Sequence, residues 1–509
     1  MEFRKMTTKY NMENKMEKFR KCFLEFKYEF IFLYLISFIY ILPRILSDAD
    51  YNDDIFRSST GDAYWWYYNG RPLVVWTMRA LNQNRLLADS TPLPVILGMV
   101  LFVFCCTFIM KLFPENCNKT TKIILCSAFI LNPFFISNFS YKYDSLPMYI
   151  SLSLAIIVAL KREKKPRILS EIPIFVFLLS ALCFYQAALN LIISLMSINL
   201  CISALRGNIN IRQQIYRAIT VIFSYLTYTK IIAPYYLRFI YINMSQHINF
   251  DHEGIIYLKN NIKTSCHLIF NFYHGNLMHI CIISYSIIYF LGIIFIIRKP
   301  KSENLTNIWV RLAAYISGIG IIILCALSLT VFLKNPDIQP RVLLGTFGFV
   351  ISAPLILVSI SCKPAYQFLA ASLCVIQIIP TLALSFSFGN YLKQEFIHDG
   401  DAIKEIEFHL AHYTTNAQTK LTFLNDNPST SSMNVKKAVH PLIAKFMTTQ
   451  GLGRNYDWYS RGFLKMNNIN YDLDNAYNLG NKFVPTMKTC HVATSFTENR
   501  ITVAFQSQC

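Results

Sequence analysis

The stretch FIFLYLISFIYILPRIL at residues 30–46, followed at once by SDADYNDDIFR at residues 47–57, decides the class of this chain. The first part is an almost uninterrupted apolar run, close to the ~20 residues that a transmembrane helix needs. The second places Asp48, Asp50, Asp53, Asp54 and Arg57 where such a helix would leave the bilayer. Of the 509 residues, 54% are hydrophobic and only 15% charged. A soluble globular protein would carry about 25% charged residues, so that class is excluded.

Outward from this first run, ten more apolar stretches follow, near 93–113, 122–139, 145–160, 171–186, 188–205, 217–236, 277–297, 310–333, 342–361 and 366–388. The runs at 145–160 and 171–186 are short, and the join from Tyr185 to Asn190 is tight, so one broken or re-entrant element is an alternative there. The reading is an α-helical polytopic membrane protein with about eleven spans, in the range nine to eleven.

Charge sets the expected orientation. The formal net charge is +19, from 48 Lys and Arg against 29 Asp and Glu. The basic residues gather in the N-terminal arm and in every second connection: Lys111, Lys119 and Lys122; Lys161 to Arg167; Arg206, Arg212 and Arg217; Arg298 to Arg311; and Lys363. The positive-inside rule puts these on the cytoplasmic side. The N-terminus is then cytoplasmic and the C-terminus external, and the basic excess reports topology, not a nucleic-acid partner. No small-x-small site follows the first run, so it reads as a retained anchor, not a cleaved signal peptide.

This divides the chain into a basic cytoplasmic arm at 1–29, a membrane domain at 30–388 with external loops at 47–92 and 237–276, and an external C-terminal domain at 389–509. Under this topology Cys490 and Cys509 face an oxidising compartment, and a disulfide between them is expected as one of two even readings. The remaining cysteines lie mostly in or beside apolar runs. No Cys/His spacing resembles a metal site, no Gly-rich nucleotide loop is present, and His247, His252, His267, His274 and His279 are irregularly spaced. Structural or interfacial roles suit these histidines better than catalysis.

The chemistry concentrates at the outer surface. After the acidic turn, Tyr64-Trp65-Trp66-Tyr67-Tyr68 precede Asn69-Gly70-Arg71-Pro72, and aromatic faces with a polar rim suit a sugar ring or the headgroup belt. A second external turn, Ser140-Tyr141-Lys142-Tyr143-Asp144-Ser145, again sets a base and an acid at a span end. The mid-membrane runs hold almost no ionisable residues, whereas transporters place such groups near the midplane.

The combination of Asp53-Asp54-x-x-Arg57, Trp65, Gly70-Arg71-Pro72-Leu73, Asn132-Pro133-Phe134-Phe135 and Tyr141-Lys142-Tyr143-Asp144-Ser145 resembles the phage-type, serotype-converting O-antigen glucosyltransferases. It covers roughly residues 40–200, with an echo at Pro340-Arg341-Val342-Leu343. The resemblance implies a GT-C-like fold in the bacterial inner membrane. It implies an inverting transfer of glucose from polyprenyl-phosphate-glucose to a lipid-linked O-antigen repeat on the periplasmic face, beside a flippase and a separate carrier-loading glucosyltransferase. Because a polyprenyl phosphate is already a good leaving group, one carboxylate base suffices, unlike the acid and base pair of a glycosidase.

Asp53 or Asp54 is the expected base. Arg57, Arg71, Lys142 and Arg341 are the expected phosphate and donor ligands, since cations stabilise the developing charge. Asp144 is a second acid, orienting the acceptor or holding a divalent cation, the one cofactor left open. Tyr64, Trp65 and Trp66 are expected to stack on sugar, and Gln186 to donate to substrate or bridge helices. A polyprenyl-sugar transporter and an O-antigen polymerase or ligase share the compartment and remain the alternatives.

Overall fold

A computed structural model describes residues 26–161, 168–249, 251–298, 306–413, 419–474, 483–497 and 499–506. Each of the eleven apolar runs is helical. Six helices are long and apolar enough to cross a membrane alone: Lys27–Ser47, Leu93–Leu112, Ala188–Arg206, Met278–Arg298, Ile308–Ala326 and Pro364–Leu410. A seventh crossing results if Lys119–Ile130 and Pro133–Phe139, bent by 41°, act together. Ser145–Leu160, Leu169–Phe184 and Thr346–Ile360 are apolar but shorter. By length, then, the structure supports six or seven crossings among the described residues, fewer than the sequence reading expects. The shortfall has visible causes: Pro133 breaks one run, because proline lacks the N–H that an inner turn needs, and the run near 217–236 passes through a π-helical turn at Tyr228–Ile232.

The helices expose apolar side chains on a scale that water-soluble monomers do not show. Ile31, Phe32 and Leu35 are exposed on the first helix, and Ile283, Ile287 and Phe290 on Asn276–Arg298. Such surfaces are compatible with a bilayer environment.

Contacts sort the connections onto two ends of the bundle. At one end Lys119 pairs with Glu29 at 3.5 Å, Arg206 donates to the Leu112 carbonyl at 2.9 Å, and the Asn118 amide donates to Gln367 at 2.9 Å. Arg217 reaches the carbonyls of Val158 and Lys161 at the same end. At the other, Gln186 donates to the Asn69 carbonyl at 2.8 Å and Arg341 to the Tyr141 hydroxyl. The basic connections share the first end and the acidic and aromatic segments the second. Residues 1–25 of the basic arm, and the basic residues at 162–167 and 299–301, lie outside the described residues.

The expected domain boundary at 389 falls inside a continuous helix. Pro364–Leu410 runs unbroken for 47 residues, about 70 Å at the α-helical rise. Its C-terminal half leads into a five-stranded mixed sheet of order β2-β1-β5-β4-β3, built from Lys420–Phe423 (β1), Asp472–Leu473 (β2), Met487–Lys488 (β3), Val492–Thr497 (β4) and Arg500–Phe505 (β5). β1 runs parallel to β2 and β5, while β4 pairs antiparallel with β3 and β5. The core of this unit joins Leu421, Phe423, Tyr459, Phe463 and Val503 to Ile403 and Ile406 of the long helix, and to Ile55 from the first external loop. Cys490 is disulfide-bonded; Cys509 lies outside the described residues.

Candidate active site

Two left-handed residues shape the acidic turn. Asp48 ends the first helix at φ 45° and Asn52 follows at φ 49°. Asp and Asn tolerate this region better than most residues, because their short polar side chains bond locally. The double reversal sends Asp48 and Asp50 one way and places Asp53 and Asp54 at the start of the helix Asp54–Thr60. The turn is clamped from the C-terminal unit. Gln450 accepts from the Asn52 amide at 3.1 Å and donates to the Asp50 carbonyl at 3.3 Å, and Tyr51 donates to the Phe446 carbonyl at 2.8 Å.

Asp144, buried, is the hub of the site. The Trp66 indole N–H donates to it at 2.7 Å, Arg57 pairs with its other oxygen at 2.8 Å, and Arg71 approaches to 3.8 Å. The Arg57 guanidinium lies 4.5 Å over the Trp66 ring, and Arg71 lies 4.7 Å over Tyr185. Stacking of this kind leaves the guanidinium edges free for in-plane hydrogen bonds. Arg71 uses one on Gln186 at 3.0 Å, and Gln186 in turn donates to the Tyr228 hydroxyl at 2.7 Å. With Arg57 and the Trp66 indole N–H at its oxygens and Arg71 nearby, Asp144 is placed to orient these cations. Among the described residues, one group of three potential ligands converges, Glu405, Cys490 and His491. Its sulfur is in a disulfide, and Glu405 accepts from Thr489 and the His491 amide, so it does not fit a metal.

The two adjacent acids are in opposite situations. Asp54 is fully buried and accepts from the backbone amides of Lys142 at 2.7 Å, and of Tyr51 and Tyr143 at 3.4 Å. Burial, with Asp50 close by, pushes its carboxyl up to about 8 against the pull of Arg57 and the Lys142 amide. Asp53 is 49% exposed, 3.9 Å from Arg57, and close enough to act electrostatically on Arg341, Tyr141 and Tyr241. Arg341 donates to Tyr141 at 2.5 Å and to Asp337 at 3.1 Å. Its side chain is 21% exposed and that of Arg71 17%, and both guanidiniums act on Tyr241 together with Asp53.

Two residues singled out by sequence, Lys142 and Trp66, sit differently from expectation. The Lys142 ammonium, expected on phosphate, is buried among Asp89 at 2.7 Å, Asp50 at 3.1 Å and Asp48 at 3.3 Å. Burial alone would discharge it, but Asp50 and Asp89 hold it charged and raise its pKa; three carboxylates already use the charge that a phosphate would need. Trp66, expected on sugar, has no exposed surface and is covered by Arg57. Tyr64 is half exposed, with Arg79 over its ring at 5.0 Å. Trp65 is partly exposed beside Trp458. Sequence reasoning missed Tyr241, Asp50, Asp89, Gln450 and Trp458. Membership of the external segments, the C-terminal one included, was the available signal for all five.

An open groove of about 440 Å³ begins at Gln186 and Asn190 and continues along Leu189, Ile193, Ile222 and Phe332. The amides of Gln186 and Asn190 beside largely apolar walls match an amphiphile with a polar headgroup.

Helices of membrane-crossing length with exposed apolar faces are compatible with a membrane protein. A model of the family described as Glucosyl transferase GtrII matches residues 16–353, about two thirds of the chain, and the chain belongs to that family. The resemblance read from the Asp53, Arg71 and Asp144 segments is borne out by this match. A protein of Salmonella phage P22, described as an uncharacterized 55.3 kDa protein in the gtrB 5' region, is 37% identical over 167 residues, 32% of this chain and 33% of the relative. The similarity thus spans about a third of that relative's length. No solved structure matches.

Proposed function

We propose that this chain moves glucose from a polyprenyl-phosphate carrier to a lipid-linked O-antigen repeat at the periplasmic face of the bacterial inner membrane, with inversion, and that Asp53 is the base. The observation that carries the reading is one half-exposed carboxylate, Asp53, and two partly exposed guanidiniums, Arg71 and Arg341, all acting electrostatically on Tyr241, with Arg71 bonded to Gln186, which lines an apolar groove. The isoprenoid tail lies in the groove and the phosphate against Arg71 and Arg341, with Gln186 fixing Arg71. Asp53 takes the proton of the acceptor hydroxyl as its oxygen bonds to the anomeric carbon. The bond from that carbon to the carrier oxygen breaks on the opposite side, and the electron pair leaves on the phosphate, whose charge the guanidiniums offset. Single displacement inverts the carbon. Asp144 and Trp66 hold Arg57, and Arg57 orients Asp53. Asp54 and Lys142 anchor the loop. A flippase and a carrier-loading enzyme supply the donor on this face.

The test is glycan analysis of O-antigen from a host expressing the chain with those two partners. Asp53→Asn is expected to abolish the side-branch glucose, a loss of about 10²–10⁴-fold in rate, at unchanged membrane abundance. A normally glucosylated product from this variant removes Asp53 as the base. No added glucose with the unaltered chain, in a host whose O-antigen is otherwise intact, counts against the proposed acceptor.

A further inference from the structure

The donor-handling residues, from Asp53 to Arg341, all fall inside the segment shared with the family, 16–353. One aromatic residue packed on this segment, Trp458, does not. The Trp458 ring, in the helix Asp457–Met466, stacks on Phe56 with centroids 4.6 Å apart and an interplanar angle of 26°, and meets Trp65 edge-on at 5.6 Å. Phe56 lies between Asp53 and Arg57 in the chain, and Trp65 precedes the indole that holds Asp144, so Trp458 packs on the segments that carry the proposed base and its arginine. Phe56 and Trp65 are partly exposed, and Trp458 remains 44% exposed.

Trp458 is not needed to dock the C-terminal unit. Gly462, one turn along the same helix, lets the backbone approach Ile55 so closely that a Cβ there would stand 2.9 Å from the Ile55 Cγ2. Ile55 is itself part of the C-terminal core, and Gln450 and Phe446 bind the turn before it. An indole left nearly half open, when the attachment is made by neighbours, is surplus to packing. A flat, electron-rich face with exposed area suits the C–H face of a pyranose ring.

We infer that Trp458, with Phe56 and Trp65, forms the platform on which the acceptor sugar stacks, so that a residue outside the family-shared segment sets acceptor choice. This rests on the glucosyl-transfer reading above. Trp458 holds the acceptor so that its hydroxyl meets Asp53, and it does not touch the donor.

The experiment uses the full chain in membranes of a host whose O-antigen it modifies, with radiolabelled polyprenyl-phosphate-glucose as donor and the endogenous lipid-linked O-antigen as acceptor, diluted in steps. Two rates are followed: transfer to acceptor, and release of free glucose to water in acceptor-free vesicles. Trp458→Ala is expected to raise the acceptor KM about tenfold, the size of one lost stacking contact. The kcat at saturating acceptor, the donor KM and the hydrolysis rate should stay within twofold, and Trp458→Phe should restore most of the acceptor affinity. An unmoved acceptor KM in Trp458→Ala overturns the inference, as does a parallel fall in hydrolysis, which would mark a purely structural role. If the unaltered chain neither transfers nor releases glucose from this donor, the glucosyl-transfer reading fails and takes this inference with it.

Discussion

In the proposed mechanism Asp144 sets the site without doing its chemistry. It neutralises Arg57, a guanidinium with a side chain only 5% exposed, and removing that charge leaves a buried cation with Asp53 alone at 3.9 Å. Breaking a buried pair from one side costs ~3–5 kcal/mol. Asp144→Asn is therefore expected to lower the thermal midpoint clearly and cut transfer by about 100-fold, the low end for a misplaced base, whereas Asp53→Asn cuts transfer and leaves the midpoint nearly unchanged. Thermal unfolding in detergent alongside a transfer assay separates the two; equal destabilisation by both variants would refute the division of roles. Asp54 supplies a pH effect of defined sign. Its carboxyl ionises near 8 in the fold and near ~3.9 when unfolded, so the folded state holds the proton more tightly. That contribution is complete below pH ~4 and is lost as pH rises through about 8. The thermal midpoint should fall between these limits, and Asp54→Asn, which cannot ionise, should flatten the slope.

At the scale of elements, the joint between the helices Asp54–Thr60 and Asp457–Met466 carries the coupling of the C-terminal unit to the acid. Gly462→Leu puts a side chain where the branched, stiff Ile55 methyl already stands 2.9 Å from a Cβ. Overpacking of this kind costs ~1–3 kcal/mol, and the displaced short helix carries Phe56 and Arg57 with it. Transfer should fall more than tenfold with a modest loss of stability; full activity would show that the two helices are not coupled. This joint also marks the limit of what sequence conveys. The apolar runs were legible because helical spans are long and local, and the acidic turn was legible because charges beside a span end stand out. The contact of residues 55 and 56 with 458 and 462 follows from no local period, since some 400 residues separate the partners. The division between Asp53 and Asp54 was hidden for a related reason. Adjacent acids look alike in a string, and only the path of the chain after Asn52 turns one into the Lys142 amide and leaves the other open. Lys142 read as a phosphate ligand because Asp89, its closest partner, lies 53 positions away in sequence.

At the scale of the whole molecule, the proposed reaction needs the acid, the polar end of the groove and the C-terminal unit on one side of the bilayer and the basic connections on the other. The contacts that gather Lys119, Arg206 and Gln367 at one end, and Arg341, Gln186 and Lys142 at the other, give two positions that report the sides independently. The Lys119 side chain is 79% exposed at the first end, and the Lys404 side chain is 75% exposed on the far part of the long helix. Cysteines introduced there, after Cys266 and Cys362 are changed to Ser to remove the two partly exposed free thiols among the described residues, can be probed with a membrane-impermeant maleimide. Spheroplasts are expected to label Lys404→Cys at once and Lys119→Cys only after lysis. The reasoning is electrostatic: an excess of Lys and Arg in short loops resists translocation, while a long domain crosses largely regardless of its charge. Labelling of both positions in intact spheroplasts would mean that the ends do not lie on opposite sides. The reverse pattern would place Asp53 in the cytoplasm, where a lipid-linked acceptor would have to be glucosylated before it crosses the membrane and the flippase would have no part in delivering the donor.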